Sequence, residues 1–144
     1  MDAQAMLERS RATFDAWNRH DADGVVANLS DDAVLVDVAM PEPLKGRAAI
    51  RAVTQQYLDA IPDVHVDVTS QLAQGDTLVE EWHVTGHQNG ELMGVPPSGA
   101  EVDFTGCTVT TFDSDGHERE VHQYWAVLTL MQQIGAMPME IGAG

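Results

Sequence analysis

Basic residues are scarce in this chain. Its 144 residues include 23 Asp and Glu but only seven Lys and Arg, which gives a formal net charge of −16. A field of this sign repels phosphate groups and anionic lipid headgroups. We therefore expect neither nucleic acid nor a membrane as a partner.

The chain also lacks long apolar runs. The longest are short pieces such as Val34-Leu35-Val36, far below the roughly 18 residues that a membrane-spanning helix needs. Its first residues include an acid and no basic stretch followed by an apolar one, so no signal peptide is predicted. We expect a cytoplasmic protein.

Cysteine occurs once, at Cys107, which excludes an internal disulfide and a cysteine-rich zinc site. Six histidines are present, but no HExxH pattern is found. His83 and His87 lie four apart on a predicted strand, where that spacing does not bring side chains together as it does on a helix. A GxGxxG phosphate loop is absent as well. The sequence therefore predicts no metal site and no cofactor.

Enough apolar residues remain to fold one domain. Hydrophobic residues make up 44% of the chain and charged residues 21%, ordinary values for a globular domain. We expect a single domain over residues 1–144, with a core over about 5–135 and a short C-terminal tail at 136–144.

Helical periodicity dominates the N-terminal part. Apolar residues recur at three- and four-residue steps over roughly the first seventeen residues, which predicts an amphipathic helix. Asp21 is a predicted cap for a short second helix. The residues Ser30-Asp31-Asp32 predict a turn, and the β-branched run over 33–38 predicts a strand. Gly46 opens a third predicted helix.

From residue 64 onward apolar and polar residues alternate, which is the period of a strand. Gly75 marks a hairpin turn after the first of these strands. The next predicted strands are Leu78–His87, Val102–Phe112 and Glu118–Val127, followed by one helical turn closed by Gly135. Helices first and antiparallel hairpins afterwards indicate an α+β fold.

Short motifs along the chain occur together in the order and spacing of one family. They are Ala16-Trp17-Asn18-Arg19-His20-Asp21, the segments 31–37, 44–51 and 61–64, Trp82–Gly86, Pro96-Pro97-Ser98-Gly99, Asp115-Gly116 and Gln132-Gln133-Ile134-Gly135. With these motifs the chain from about residue 5 to residue 135 resembles the SnoaL-like polyketide cyclases of the NTF2-like superfamily.

This resemblance implies a strongly curved, mostly antiparallel sheet that forms a cone-shaped barrel, with three N-terminal helices packed on its concave face. Members of the family are commonly homodimers with a deep pocket. They close rings in aromatic polyketides by an intramolecular aldol condensation, without metal or cofactor. The resemblance therefore predicts a homodimer whose substrate or ligand is a hydrophobic, carbonyl-rich small molecule.

One position departs from the family. Counting ten residues from Gly116 places the family's catalytic aspartate at position 126, where this chain has Ala126. Alanine cannot move a proton. Either a neighbouring group has taken over that role, or the chemistry differs, or the protein is not a catalyst.

The last predicted strand supplies the first candidates. By analogy with the family Ala126 faces the pocket, and strand alternation then places Glu120, His122 and Tyr124 on the same face. His122 is the preferred base because imidazole ionises near neutrality. Glu120 could orient it or act directly, and Tyr124 could donate to an enolate oxygen. The alternative is that Glu120 and His122 lie at the solvent-exposed end of the strand and have no catalytic role.

Four further residues complete the predicted site. Asp37 closes an apolar run, where burial would raise the pKa of a carboxyl toward a catalytically useful value; the alternative is a carboxylate that caps the following turn. Trp17, Tyr57 and Trp82 are candidates to line the pocket and stack on a planar ligand, or else they are ordinary core residues.

Three functions remain open on this reasoning. The leading one is a cofactor-independent cyclase or isomerase that uses Asp37, His122 and Tyr124 as acid, base and donor groups. A dehydratase or hydrolase of the same fold would need Asp37 and His122 within about 2.6–3.2 Å of each other or of a common water. The third is a non-catalytic binding or accessory protein. In such a protein Ala126 would replace the acid to leave steric room, and the pocket would bind a ligand without converting it.

Overall fold

The computed structural model describes residues 1–138 and arranges them as helices packed on a six-stranded sheet. The helices are α1 (Ala3–Asn18), α2 (Ala22–Val26), α3 (Arg47–Ala60) and α4 (Val127–Gln133). The strands are β1 (Leu29–Asp37), β2 (Leu44–Lys45), β3 (His65–Gln74), β4 (Thr77–His87), β5 (Glu101–Phe112) and β6 (Glu118–Trp125). Most of the predicted tail at 136–144 lies outside the described residues.

The helix starts follow from local capping. Asp2 caps α1 by accepting a 2.8 Å hydrogen bond from the backbone N–H of Ala5. Asp21 caps α2 as predicted, since its carboxylate accepts from the N–H of Gly24 at 3.1 Å. Gly46 precedes α3 as predicted and has φ +91°, a conformation that glycine adopts without a steric penalty.

The six strands follow the order β2-β1-β6-β5-β4-β3. Among the strand pairs of residues 1–138, only β1–β6 is parallel. The predicted α+β architecture is confirmed: a curved, mostly antiparallel sheet carries the three N-terminal helices, with α4 as a further helix. Within residues 1–138 the edge strands β2 and β3 do not pair with each other, so the cone is open along one side rather than closed into a barrel.

The predicted turn at residues 30–32 is wrong, because these residues belong to β1. Leu29 pairs with Glu118 and Val34 with Glu120, so β1 advances further than β6 between the two pairs. The extra residues bulge from the ladder and leave Asp31 exposed. A bulge and a turn share the same polar composition, which explains the error.

No helix within residues 1–138 combines the length and the apolar character needed to cross a membrane.

Candidate functional site

A cavity of about 160 Å³ lies between the concave face of the sheet and helices α1, α2 and α3. Its walls are mostly apolar. The aromatic residues among them are Phe14, Trp17, Tyr57, Trp82, Phe104 and Trp125. The structure thus places all three of the aromatic residues proposed from the sequence, Trp17, Tyr57 and Trp82, in the wall of one cavity, a setting suited to a largely apolar small molecule.

Trp82 is positioned by its neighbours on β5. Its indole N–H donates to the hydroxyl of Thr108 at 2.8 Å, and its ring lies over Gly106, the residue opposite it in the β4–β5 ladder. A Cβ at position 106 would come within 2.3 Å of the ring. The glycine therefore creates the space that the tryptophan occupies.

Gly106→Ala is expected to lower the free energy of unfolding by about 1–3 kcal/mol, because the added methyl overpacks this contact. The displaced ring should also change the tryptophan fluorescence of the folded protein. Urea unfolding followed by fluorescence measures both effects. Thr105→Ala, an exposed neighbour on the same strand, is the control, and an equal loss there would contradict the packing explanation.

Asp37 holds a second aromatic residue, Trp125. The Asp37 carboxylate is buried and accepts hydrogen bonds from the indole N–H of Trp125 at 2.9 Å and the backbone N–H of Ala39 at 2.8 Å. Trp125 contacts Tyr57 edge-on, with ring centroids 6.4 Å apart. Asp37 does not itself belong to the cavity wall described for residues 1–138. Its position makes it a support for the wall.

The Tyr57 hydroxyl remains protonated over the physiological range. Burial, and secondarily the negative charge of Asp37, raise the pKa of Tyr57. The cavity therefore has a phenolic O–H that can donate a hydrogen bond to a ligand oxygen.

A row of polar side chains crosses the concave face of the sheet. Glu80 pairs with Thr108 across β4 and β5, and Thr108 pairs with Gln123 across β5 and β6. The Glu80 side chain is buried, at 3% exposure. Its Oε2 accepts from the Ser10 hydroxyl at 2.5 Å and from the Gln71 amide at 2.6 Å. Two donors therefore fix this carboxylate at the cavity wall.

Glu118 points into the cavity because of a bulge in β6. Thr111 of β5 pairs with Glu120, and Phe112 pairs with Glu118, so Arg119 has no partner in the ladder. The bulge lets Glu118 and Val121 face the same side although they are three residues apart. Regular alternation would have put Glu118 on the outer face together with Glu120.

Glu118 is a buried residue whose carboxyl group lines the cavity. The residue is 7% exposed, and no hydrogen bond to its carboxyl is found within residues 1–138. Burial, followed by the negative charge of Glu80, raises the pKa of Glu118 to about 7, against a smaller opposing effect of Arg9. At neutral pH this carboxyl therefore holds a proton far more often than an exposed glutamate does.

In a comparison with known protein families, residues 8–134 of the chain match the family described as SnoaL-like polyketide cyclase. The chain belongs to the SnoaL-like polyketide cyclase family. Among solved structures it is similar to a proposed SnoaL-like polyketide cyclase from Jannaschia sp. CCS1, at 25% identity, with 94% of each chain covered and a TM-score of 0.85.

Two further structures are similar to this SnoaL-like chain. AclR from Streptomyces galilaeus, a proposed hydroxylase, is 27% identical over 95% of this chain and 87% of its own, with a TM-score of 0.81. A protein from Catenulispora acidiphila DSM 44928 with a ketosteroid isomerase-like fold is 20% identical over 90% and 94% of the two chains, with a TM-score of 0.77, and shows the shared fold alone. The search of curated proteins found no match.

The predicted inward orientation of Glu120, His122 and Tyr124 is wrong. All three lie on the outer face of β6, because Val121, Gln123 and Trp125 face the cavity instead. They do come together there: Glu120 Oε1 is 2.6 Å from His122 Nε2, and the Tyr124 hydroxyl is 3.4 Å from His122 Nδ1. At 49% exposure Tyr124 is open to solvent. This cluster cannot act on a ligand inside the cavity.

Ala126, which the resemblance equates with the family aspartate, accounts for that error. It lies beyond β6 as the N-cap of α4 and borders a shallow depression on the outer face, next to Tyr124 and Cys107, rather than the cavity. Strand alternation does not extend to Ala126, because β6 ends at Trp125. An alternation that starts from Ala126 therefore assigns Glu120, His122 and Tyr124 to the wrong face. The prediction that Ala126 lines the pocket is therefore also wrong.

Asp37 and His122 do not meet. Asp37 pairs in register with Gln123, whereas His122 pairs with Val36, so the two side chains lie on opposite faces of the sheet. Asp37 bonds Trp125 within the fold, and His122 bonds Glu120 outside. The dehydratase or hydrolase site that needs an Asp37–His122 pair is absent from residues 1–138.

A group of side chains that could bind a metal ion lies away from the cavity, in the turn between β5 and β6. Potential ligand atoms of Asp113, Asp115 and His117 lie within 4.8 Å of one another. The Asp113 carboxylate accepts from the backbone N–H groups of Asp115 and His117, each at 2.9 Å. The tight turn itself accounts for this grouping.

Proposed function

We propose that this SnoaL-like protein catalyses ring closure or isomerisation of a hydrophobic carbonyl compound through an enolate, with Glu118 as its acid/base group. The observation that carries this proposal is the unpaired, buried Glu118 carboxyl at the cavity wall, whose pKa is about 7. A group with this pKa can accept a proton and return it at neutral pH. It would take over the acid/base role that the resemblance assigns to an aspartate at position 126, which lies outside the cavity wall.

The chemistry needs one base and one oxyanion donor. Ionised Glu118 would take a proton from a carbon next to a carbonyl group, which leaves an enolate. In an isomerisation the resulting acid returns that proton to another carbon. In ring closure the enolate carbon attacks a second carbonyl of the same molecule, and the new alkoxide takes the proton back from Glu118.

Tyr57 and Gln123 are the proposed donors to the enolate oxygen. Both line the cavity, and within residues 1–138 no hydrogen bond occupies the Tyr57 hydroxyl or the Gln123 amide. Donors that are already oriented toward developing negative charge stabilise it at little reorganisation cost. The aromatic walls would hold the substrate in a folded conformation, and such positioning contributes about 7–11 kcal/mol in favourable intramolecular reactions.

A non-catalytic binding protein is the second candidate. The mostly apolar cavity wall favours it, as does the resemblance, which predicts the family's acid at position 126, where this chain has Ala126. In this case Glu118 would bind a polar group of the ligand without transferring a proton. The predicted homodimer and the cytoplasmic location stay predictions under either function.

Conversion and binding of one probe distinguish the two functions. The probe is an anthraquinone-type β-ketoester, with ring closure followed by absorbance and mass spectrometry and binding followed by tryptophan fluorescence. We expect product to form faster than in buffer alone. Binding without conversion would support the binding protein and contradict catalysis, and the absence of both would contradict a carbonyl-rich ligand.

A further inference from the structure

The cavity contains negative charge that no cationic side chain in its wall balances. Glu80 and Glu118 both line it, and none of the lining residues within 1–138 is Lys, Arg or His. Arg9 is close enough to oppose the rise in the pKa of Glu118, but it is exposed and bonded to Asn28 at 2.5 Å. A ligand with a positive charge would supply the missing partner.

Part of each carboxyl group remains available to a ligand. Ser10 and Gln71 both donate to Oε2 of Glu80, which leaves Oε1 without a hydrogen bond in the described part of the chain. Glu118 has no hydrogen bond to either of its oxygens there. An ammonium group needs this kind of site, since its N–H donors require acceptors once it leaves water.

The rest of the wall suits the apolar part of such a ligand and also attracts its charge. Six aromatic side chains face the cavity, three of them the indoles of Trp17, Trp82 and Trp125. The face of an aromatic ring attracts a cation, and tryptophan does so most strongly. Carboxylates together with indole rings favour an ammonium ion on an apolar body over an anion of the same size.

The charge of the whole chain acts in the same direction. A formal net charge of −16 raises the local concentration of cations and repels anions. A neutral ligand would be unaffected by this field. It would also exclude water from the Glu80 carboxylate without supplying a counter-charge, and this desolvation is unfavourable.

We infer that the natural ligand of the cavity carries an ammonium group, bound by Glu80 and Glu118, on a hydrophobic body of aromatic size. The inference rests on the proposed function for the site and adds a basic nitrogen to the carbonyl compound proposed there.

The test compares 1-naphthylmethylamine, which is protonated at pH 7.5, with its neutral isostere 1-naphthylmethanol. Isothermal titration of the wild-type protein should give a Kd for the amine that is lower by about tenfold or more. The double variant Glu80→Gln/Glu118→Gln should bind both compounds with similar Kd. Circular dichroism and thermal unfolding confirm that the variant is folded.

A matched control separates the cavity from the general charge of the surface. Glu81→Gln/Glu120→Gln removes two charges from the same two strands, but outside the cavity, where Glu81 is exposed and Glu120 half-buried. This control should retain the preference for the amine. Equal binding of amine and alcohol by the wild-type protein would overturn the inference. A preference that survives in the cavity variant, or that disappears in the control, would overturn it as well.

The experiments distinguish a failure of this inference from a failure of the proposed function. If the wild-type protein closes the neutral β-ketoester but shows no preference for the amine, this inference fails while the proposed function stands. If it prefers the amine but converts no carbonyl probe, the proposed function fails while the ammonium site stands. Binding of neither naphthyl compound overturns the inference directly.

Discussion

Glu118→Gln is expected to raise the free energy of unfolding at pH 8 by about 3 kcal/mol. The pKa of this carboxyl is about 7 in the folded protein, compared with an ordinary value of 4.5 for glutamate. Its contribution to stability is therefore complete below pH 4.5 and is lost as the pH rises through 7. The amide does not ionise, so the variant avoids that loss.

Urea unfolding of both proteins at pH 8 and pH 5 measures the effect. The gain should fall below about 1 kcal/mol at pH 5, where the folded protein keeps the proton on Glu118. Glu120→Gln removes one charge from the outer face of the same strand and should change stability little at either pH. A gain that is the same at both pH values, or that is matched by Glu120→Gln, would contradict the burial of an ionisable group at Glu118.

The same substitution is expected to slow ring closure or isomerisation by roughly 10²–10⁴-fold, because an amide of the same shape cannot carry the proton. A variant that is more stable and less active cannot owe its loss of activity to unfolding. Residues that are needed for activity commonly lower the stability of the folded protein in this way.

The pH dependence of kcat/KM tests the same role. Activity should rise with pH around a midpoint near the Glu118 pKa of about 7, because the ionised form is the base. Glu80→Gln should move this midpoint to lower pH, since it removes the negative charge that helps to raise the Glu118 pKa. His122→Ala and Glu120→Gln, on the outer face, should leave both rate and midpoint in place. A rate that depends on His122 instead would contradict the assignment.

The fold could be predicted from the sequence where the signals are local. Asp21 and Gly46 mark helix starts through their own hydrogen bonding and backbone conformation, and the structure places α2 and α3 directly after them. The family resemblance added the topology of the sheet, which no local pattern contains. The cone is open because its edge strands do not pair with each other. The alternation of apolar and polar residues does not predict which strands pair.

The site was harder because strand facing depends on bulges and strand ends. A single unpaired residue, Arg119, reorients Glu118 toward the cavity, and β6 ends at Trp125, before Ala126. Neither event has a clear signal in a single sequence. Glu80 could have been found, because it alternates in phase with the apolar residues Leu78 and Trp82 on a predicted strand.

Direct titration of the glutamate side chains tests the central claim that Glu118 is a buried, proton-carrying group. ¹³C NMR of protein labelled at the glutamate carboxyl carbons follows each resonance from pH 5 to pH 9. We expect one resonance to titrate near pH 7, to be absent from Glu118→Gln, and to shift its midpoint to lower pH in Glu80→Gln. If no glutamate titrates near pH 7, or if that resonance persists in Glu118→Gln, Glu118 is not the acid/base group of this cavity.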